Sequence, residues 1–290
     1  MQSYLLGLYE KSMPGNLSIA EKLAETRNAG FDYMELSIDE TDEKLARLQW
    51  SITEIHELCA AQARQGIPIK SICLSGHRRF PLGDPNPGVR QKSLKIMEQA
   101  IILAARLGVR VVQIAGYDVY YKQSSECTRA DFAANLELSV QMAAREGVIL
   151  AFETMETEFI NTVAKAMTWV DAIRSPYLQV YPDVGNITNA MQQYNTSVLD
   201  DLAGGKGHLA AVHLKETRPG IFREVPYGEG HVDFYACAEK AIQLGVRMFV
   251  GEFWYTGQTN WRETLKESNA FLRDALYSGL CRVQPQSYKN

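Results

Sequence analysis

Residues 141–153 read QMAAREG followed by VILAFE: an amphipathic helical stretch, a glycine at 147, and a short apolar run ending on Glu153. Glycine suits the left-handed residue after a helix end, where it turns the chain straight back into a strand. The same punctuation recurs in ETRNAG-FDYMELS (25–37), AAQARQG-IPIKSICLS (60–75) and ILAARLG-VRVVQIAG (102–116). It returns in AGGKG-HLAAVHLK (203–215) and AIQLG-VRMFVGEF (241–253). Adding YLLGLYE (4–10) and YLQVYPD (177–183) gives eight strands alternating with helices. Alternation predicts a parallel sheet, and eight units predict a closed (β/α)8 TIM barrel of the α/β class.

Four of these runs end on a metal-ligand residue type: Glu153, Asp183, His213 and Glu252. Their spacings of 30, 30 and 39 residues match one strand-plus-helix unit each. A barrel gathers strand ends at one rim, so the four side chains are expected to converge there. Strand periodicity puts Ile149, Ala151 and Glu153 on one face, Leu209, Ala211, His213 and Lys215 on another, and Met248, Val250 and Glu252 on a third. Any one of them alone would read as a charged strand end at the solvent boundary. Four in successive units point to a divalent metal, because buried charge needs pairing or a metal. Carboxylates with one imidazole and no thiolate suit Mn²⁺, Mg²⁺, Co²⁺ or Zn²⁺. His208 begins its strand at the far end, and His56 lies on a helical stretch, so neither competes with His213.

Glu153 and Glu252, on strands five and eight, are also candidates for proton transfer from two sides of the mouth. A carboxylate can take a proton next to a carbonyl when a Lewis acid stabilises the resulting enediolate. An epimerase or an isomerase follows.

At 290 residues the chain is long for an ordinary domain but normal for one such barrel. One domain over 1–290 is expected, with a weakly patterned tail fraying from about residue 278. Ser18 and Glu21 form a predicted capping box at the first helix. A net charge of −4 gives no reason to expect nucleic acid or an anionic membrane as partner. The five separated cysteines read as reduced thiols, and no signal peptide or membrane-spanning run is visible. The cytoplasm is the expected compartment.

Several segments resemble a known family: GFDYMELSIDETDEKLARLQW (30–50), CLSGHRRFPLG (73–83), AGYDVYY (115–121), AFETME (151–156), VYPDVGN (180–186), VHLKETRPGIFREVPYGEG (212–230) and VGEFW (250–254). They are similar to the L-ribulose-5-phosphate (or L-xylulose-5-phosphate) 3-epimerases of bacterial ascorbate and pentose catabolism. Those enzymes belong to the xylose-isomerase-like barrels. The likeness implies that Glu153, Asp183, His213 and Glu252 are the metal ligands, and that Glu153 and Glu252 form the acid/base pair. The implied reaction inverts C3 of a ketopentose 5-phosphate through a cis-enediolate. Two departures stand out: HLKE in place of HLKD or HVKD, which puts Glu216 where an aspartate is usual, and EFW in place of EMW.

For the sugar phosphate, HRRF offers His77, Arg78 and Arg79, and strand seven offers Lys215 and Arg223. Arginine suits bidentate phosphate recognition, but successive residues rarely point the same way, so Arg78 or Arg79 faces solvent. His77, Arg79, Lys215, Arg223 and Glu35 are the expected substrate contacts, with Glu35 equally suited to a structural partner. Gly228, Glu229 and Gly230 are expected to shape a loop rather than cradle phosphate. A homodimer is expected. The rival readings are a 3-epimerase of unphosphorylated ketoses, an aldose–ketose isomerase, and a silent sugar-phosphate-binding barrel.

Overall fold

A computed structural model describes residues 4–283. Eight strands line the barrel: β1 (Leu5–Tyr9), β2 (Tyr33–Ile38), β3 (Ile69–Leu74), β4 (Val111–Ala115), β5 (Ile149–Glu153), β6 (Leu178–Tyr181), β7 (Val212–Leu214) and β8 (Met248–Gly251). Ten α-helices lie between and after them: α1 (Ile19–Asn28), α2 (Asp42–Ala46), α3 (Ile52–Gln65), α4 (Pro87–Leu107) and α5 (Glu126–Glu146). The set continues with α6 (Val163–Ile173), α7 (Val184–Tyr194), α8 (Val198–Gly204), α9 (Phe234–Gln243) and α10 (Trp261–Val283).

All strand pairs are parallel, in the order β6-β5-β4-β3-β2-β1-β8-β7. The remaining gap, between β6 and β7, is spanned by isolated parallel bridges at Val180–Leu209 and Asp183–His213. Gly147 closes α5 at φ 64°, and its N–H meets the carbonyls of Ala143 and Ala144 before β5 begins. Gly66 and Gly108 end α3 and α4 in the same left-handed way. Ser18 and Glu21 do form a capping box.

Period-two alternation sorts the strand side chains into two apolar layers. Phe152 and Phe249 face the helices, whereas Ala151 and Val250 fill the barrel interior with Tyr9, Tyr33 and Tyr181. At Gly7 a Cβ would drive into the Tyr33 ring, so this glycine makes room for an interior aromatic. The Tyr33 hydroxyl reaches over β1 and donates to the Phe249 carbonyl on β8 (2.9 Å), which satisfies its polar end.

One expectation about the strands changes. β7 is regular only from Val212, and Leu209 packs into the strand–helix layer against Gly205, so the inward face begins later than alternation predicts. α10 runs to Val283, past residue 278, with Leu276 and Gly279 packed on α9 and Gly279 against the backbone of Glu239. Residues 284–290 lie outside the described part. Among the described residues no helix is long and apolar enough to cross a membrane.

Candidate metal centre at the barrel mouth

β5, the segment after β6, β7 and the end of β8 bring one donor atom each from Glu153, Asp183, His213 and Glu252 to within 4.8 Å of one another. All four residues are buried. His213 Nδ1 lies 3.4 Å from Glu153 Oε1 and 3.2 Å from Glu252 Oε2 and hydrogen-bonds neither. Its Nε2 faces Glu35 Oε1 at 2.7 Å. A proton on Nε2 donated to Glu35 leaves the Nδ1 lone pair aimed into the cluster.

Each acid is held from behind. Asp183 caps α7, with Oδ1 accepting from the Asn186 N–H (2.8 Å), and its own N–H donates to Thr154 Oγ1 (2.9 Å). Oδ2 is left for the cluster, where Lys215 Nζ stands 2.8 Å away. Glu153 accepts a short hydrogen bond from the Gln113 amide on β4. Glu35 accepts from Ser71 Oγ (2.6 Å) and the Tyr181 hydroxyl (3.0 Å), which fixes the carboxylate against His213.

The electrostatics call for a cation. Four buried carboxylates, Glu35, Glu153, Asp183 and Glu252, face one ammonium and one imidazole. Burial raises the Asp183 carboxyl to about 8, with Glu252 and Glu153 adding to the rise and Lys215 opposing it. Burial works against a charged His213, yet Glu35 and Glu252 outweigh it and push the imidazole well above its ordinary value. Burial likewise works against ionised Glu252, but Lys215 and His213 hold it well below the usual carboxylate range. The field that favours a proton on Nδ1 favours a metal ion on the same lone pair. Oxygen and imidazole donors, a buried open nitrogen and a surplus of negative charge fit a divalent cation.

The structure divides the other expected contacts. Lys215 sits inside the cluster, bonded to Asn186 Oδ1 (2.8 Å) and 3.6 Å from Glu252. Arg223 reaches the mouth, 5.6 Å over the Trp254 ring and 3.8 Å from Glu156. Glu35 lies in mid-strand behind His213, fully buried, with its oxygens engaged by protein donors, which matches the structural partner the sequence left open for it. His77 is buried away from the mouth, with Nε2 at 3.3 Å from the Ser93 carbonyl in α4, and burial lowers it to about 4. Arg79 points outward to Asp42 (2.6 Å) and the Phe80 ring. Arg78 is the inward member of the pair, 5.9 Å over the Tyr120 ring. The turn Gly76–Arg78 is a single 3₁₀ turn, and such a turn fixes which of two successive side chains faces in.

Glu216 pins the loop after β7. Its carboxylate accepts the N–H groups of Thr217 (3.1 Å), Gly228 (3.0 Å) and Val232 (3.2 Å). Gly230 packs directly on that carboxylate, so GEG shapes the loop around Glu216. Gln113, Thr154 and Asn186 carry no charge, and no role was read for them, although Thr154 and Asn186 lie within AFETME and VYPDVGN. Only their inward position on a strand, or at the start of a helix, could have signalled them.

Comparison with known proteins gives a consistent picture. The xylose isomerase-like TIM barrel family matches residues 23–275. The L-ribulose-5-phosphate 3-epimerase UlaE of Salmonella paratyphi A is 45% identical over 240 residues, 83% of each chain. A solved L-ribulose 3-epimerase superposes with a TM-score of 0.78 at 19% identity, covering 99% of this chain and 100% of the other. A D-tagatose 3-epimerase-like protein reaches 0.79 at 17%, covering 96% and 99%. At that identity the two structures speak for the fold alone.

Proposed function

We propose, from the premise that the chain belongs to the xylose isomerase-like TIM barrel family and within it to the L-ribulose-5-phosphate 3-epimerases, that it interconverts L-ribulose 5-phosphate and L-xylulose 5-phosphate. One observation carries the chemistry. Glu153 and Glu252 are the two ends of the β5–β8 arc, and both reach the open nitrogen of His213 between them.

Glu153, Asp183, His213 and Glu252 would hold one divalent ion of the Mn²⁺, Mg²⁺, Co²⁺ or Zn²⁺ group. Bound there, the ion supplies Lewis-acid stabilisation for negative charge developing on the substrate oxygens. One glutamate takes the proton from C3 on one face, and the other returns a proton to the opposite face through a cis-enediolate. In the reverse direction the two exchange roles. Gln113 fixes Glu153, and Lys215 fixes Asp183 and Glu252, so both carboxylates keep their aim. Tyr9 packs beside His213, Trp254 packs edge-on against Tyr9, and together they limit water at the reacting carbon. Glu35 supports His213 rather than the sugar.

Solvent deuterium incorporation into L-ribulose 5-phosphate, followed by NMR with Mn²⁺ and with a chelator, tests this. Label at C3 with formation of L-xylulose 5-phosphate, lost on chelation, is the expected result. Label at C1 would make the protein an isomerase. Absence of exchange with every metal would leave a binding barrel.

A further inference from the structure

The acid cluster carries a cation of its own. Lys215 follows directly on β7, and its side chain is only 6% exposed. Nζ stands 2.8 Å from Asp183 Oδ2 and 3.6 Å from Glu252 Oε2. Both oxygens matter to a metal. Asp183 Oδ1 is taken by the Asn186 N–H, so Oδ2 is the atom that Asp183 can offer. Glu252 Oε2 is the atom that faces His213 Nδ1. The ammonium therefore draws on the same negative charge that a divalent ion would use.

Lys215 is also tethered in place. Nζ donates to Asn186 Oδ1 (2.8 Å), and Asn186 is fixed in turn by donating Nδ2 to the Thr154 carbonyl (2.8 Å). Asn186 lies in the first turn of α7 and is not one of the four converging donors. At Gly185 a Cβ would stand 2.6 Å from the Lys215 carbonyl, so α7 and the lysine backbone are in direct contact. With Asp183 turned to a metal, Lys215 keeps its Asn186 partner and remains beside the site.

The charge balance gives this a consequence. Glu35, Glu153, Asp183 and Glu252 are all buried, and ionised they carry four negative charges. A divalent ion alone would leave two of these uncompensated, and Lys215 leaves one. Two cations drawing on one pair of carboxylates repel each other strongly where little water screens them.

We propose that Lys215 is a resident cation of the metal centre, which neutralises part of the acid surplus in the metal-free protein and lowers the affinity of the site for its divalent ion. This rests on the metal-site reading above and gives the regulation of that site: the ion stays exchangeable, and the metal-free barrel stays folded.

Calorimetric titration of metal-free wild type, Lys215→Met, Lys215→Gln and Arg79→Met with Mn²⁺ tests this, beside thermal unfolding in chelator and in Mn²⁺. Both Lys215 variants should bind Mn²⁺ about tenfold more tightly than wild type, or tighter still. Their Tm in chelator should fall, and the rise in Tm on adding Mn²⁺ should exceed that of wild type. Arg79→Met, which removes an exposed positive charge after β3, should match wild type in both. Glutamine keeps a hydrogen-bond donor without the charge, so Lys215→Gln separates charge from bonding. Weaker Mn²⁺ binding in the Lys215 variants would make the lysine a brace for Asp183 and Glu252 and overturn the proposal. Unchanged binding would overturn it too, leaving Lys215 to the sugar. Should Lys215→Met misfold, or the two variants disagree, Lys215→Gln decides. Mn²⁺ binding by wild type without inversion of C3 would remove the epimerase reading and leave this comparison standing. A wild type that binds no divalent ion would remove both.

Discussion

Two clusters of buried charge sit at the same rim of this barrel, and they are built on opposite plans. Beneath β1 and β2, the single carboxylate of Glu10 receives Lys22 (2.9 Å), Lys44 (2.5 Å), both terminal nitrogens of Arg47, and the Ser37 N–H (2.9 Å). Burial opposes its charge, but Arg47, Lys22 and Lys44 prevail and hold it far below the ordinary glutamate value. At β5–β8 four carboxylates share one lysine and one histidine, and His213 Nδ1 stays open. The first cluster is closed on itself; the second leaves donors unsatisfied and could hold a cation. Burial of charge therefore does not mark a site in this protein, whereas convergent donors left unsatisfied do.

That contrast breaks if the acids of the second cluster prove structural. Glu153→Gln and Glu252→Gln should each lower turnover by about 10²–10⁴-fold while the far-UV circular dichroism stays native. Full activity in both variants would remove the proton-transfer assignment.

Glu10 should show the reverse. Glu10→Ala strands buried Lys22 and Arg47 and half-buried Lys44 and should cost about 3–5 kcal/mol in urea unfolding, with the rate constant of the folded fraction kept. Because the folded value of Glu10 is depressed, its contribution is complete above the unfolded value of 4.5 and falls as the pH drops below it. Wild type should lose stability over that acid window more steeply than Glu10→Gln. Parallel curves would show that the network is not worth its geometry.

A finer test concerns Glu35, whose carboxylate meets Nε2 of the histidine in the second cluster. Glu35→Gln should weaken divalent-metal affinity by roughly 10–100-fold in calorimetry, and more than it changes Tm. Unchanged affinity would make the Glu35 contact a packing detail. The smallest effect belongs to the exposed Arg79–Asp42 pair, where Arg79→Met should change stability by less than about 1 kcal/mol.

Much of this was legible in the chain. The helix–glycine–strand punctuation carries backbone information, because only a left-handed residue turns α5 into β5 so tightly, and Gly147 does so. Eight repeats leave one architecture, and a barrel sends its strand ends to one rim, so Glu153, Asp183, His213 and Glu252 could be nominated together from spacing and face.

Loops have no period, and there the sequence stopped. Whether Arg78 or Arg79 faces the mouth depends on one 3₁₀ turn, and Glu35 could be assigned to His213 only once β2 and β7 were set across the barrel from each other. Glu10 gave no signal because its partners lie 12 to 37 residues away, on α1, α2 and the turn that follows. Residue type and periodicity are local properties, and the chain fixes them by itself. The partner that satisfies a buried charge is chosen by packing, and only the closed barrel shows which donors found one and which were left for a ligand.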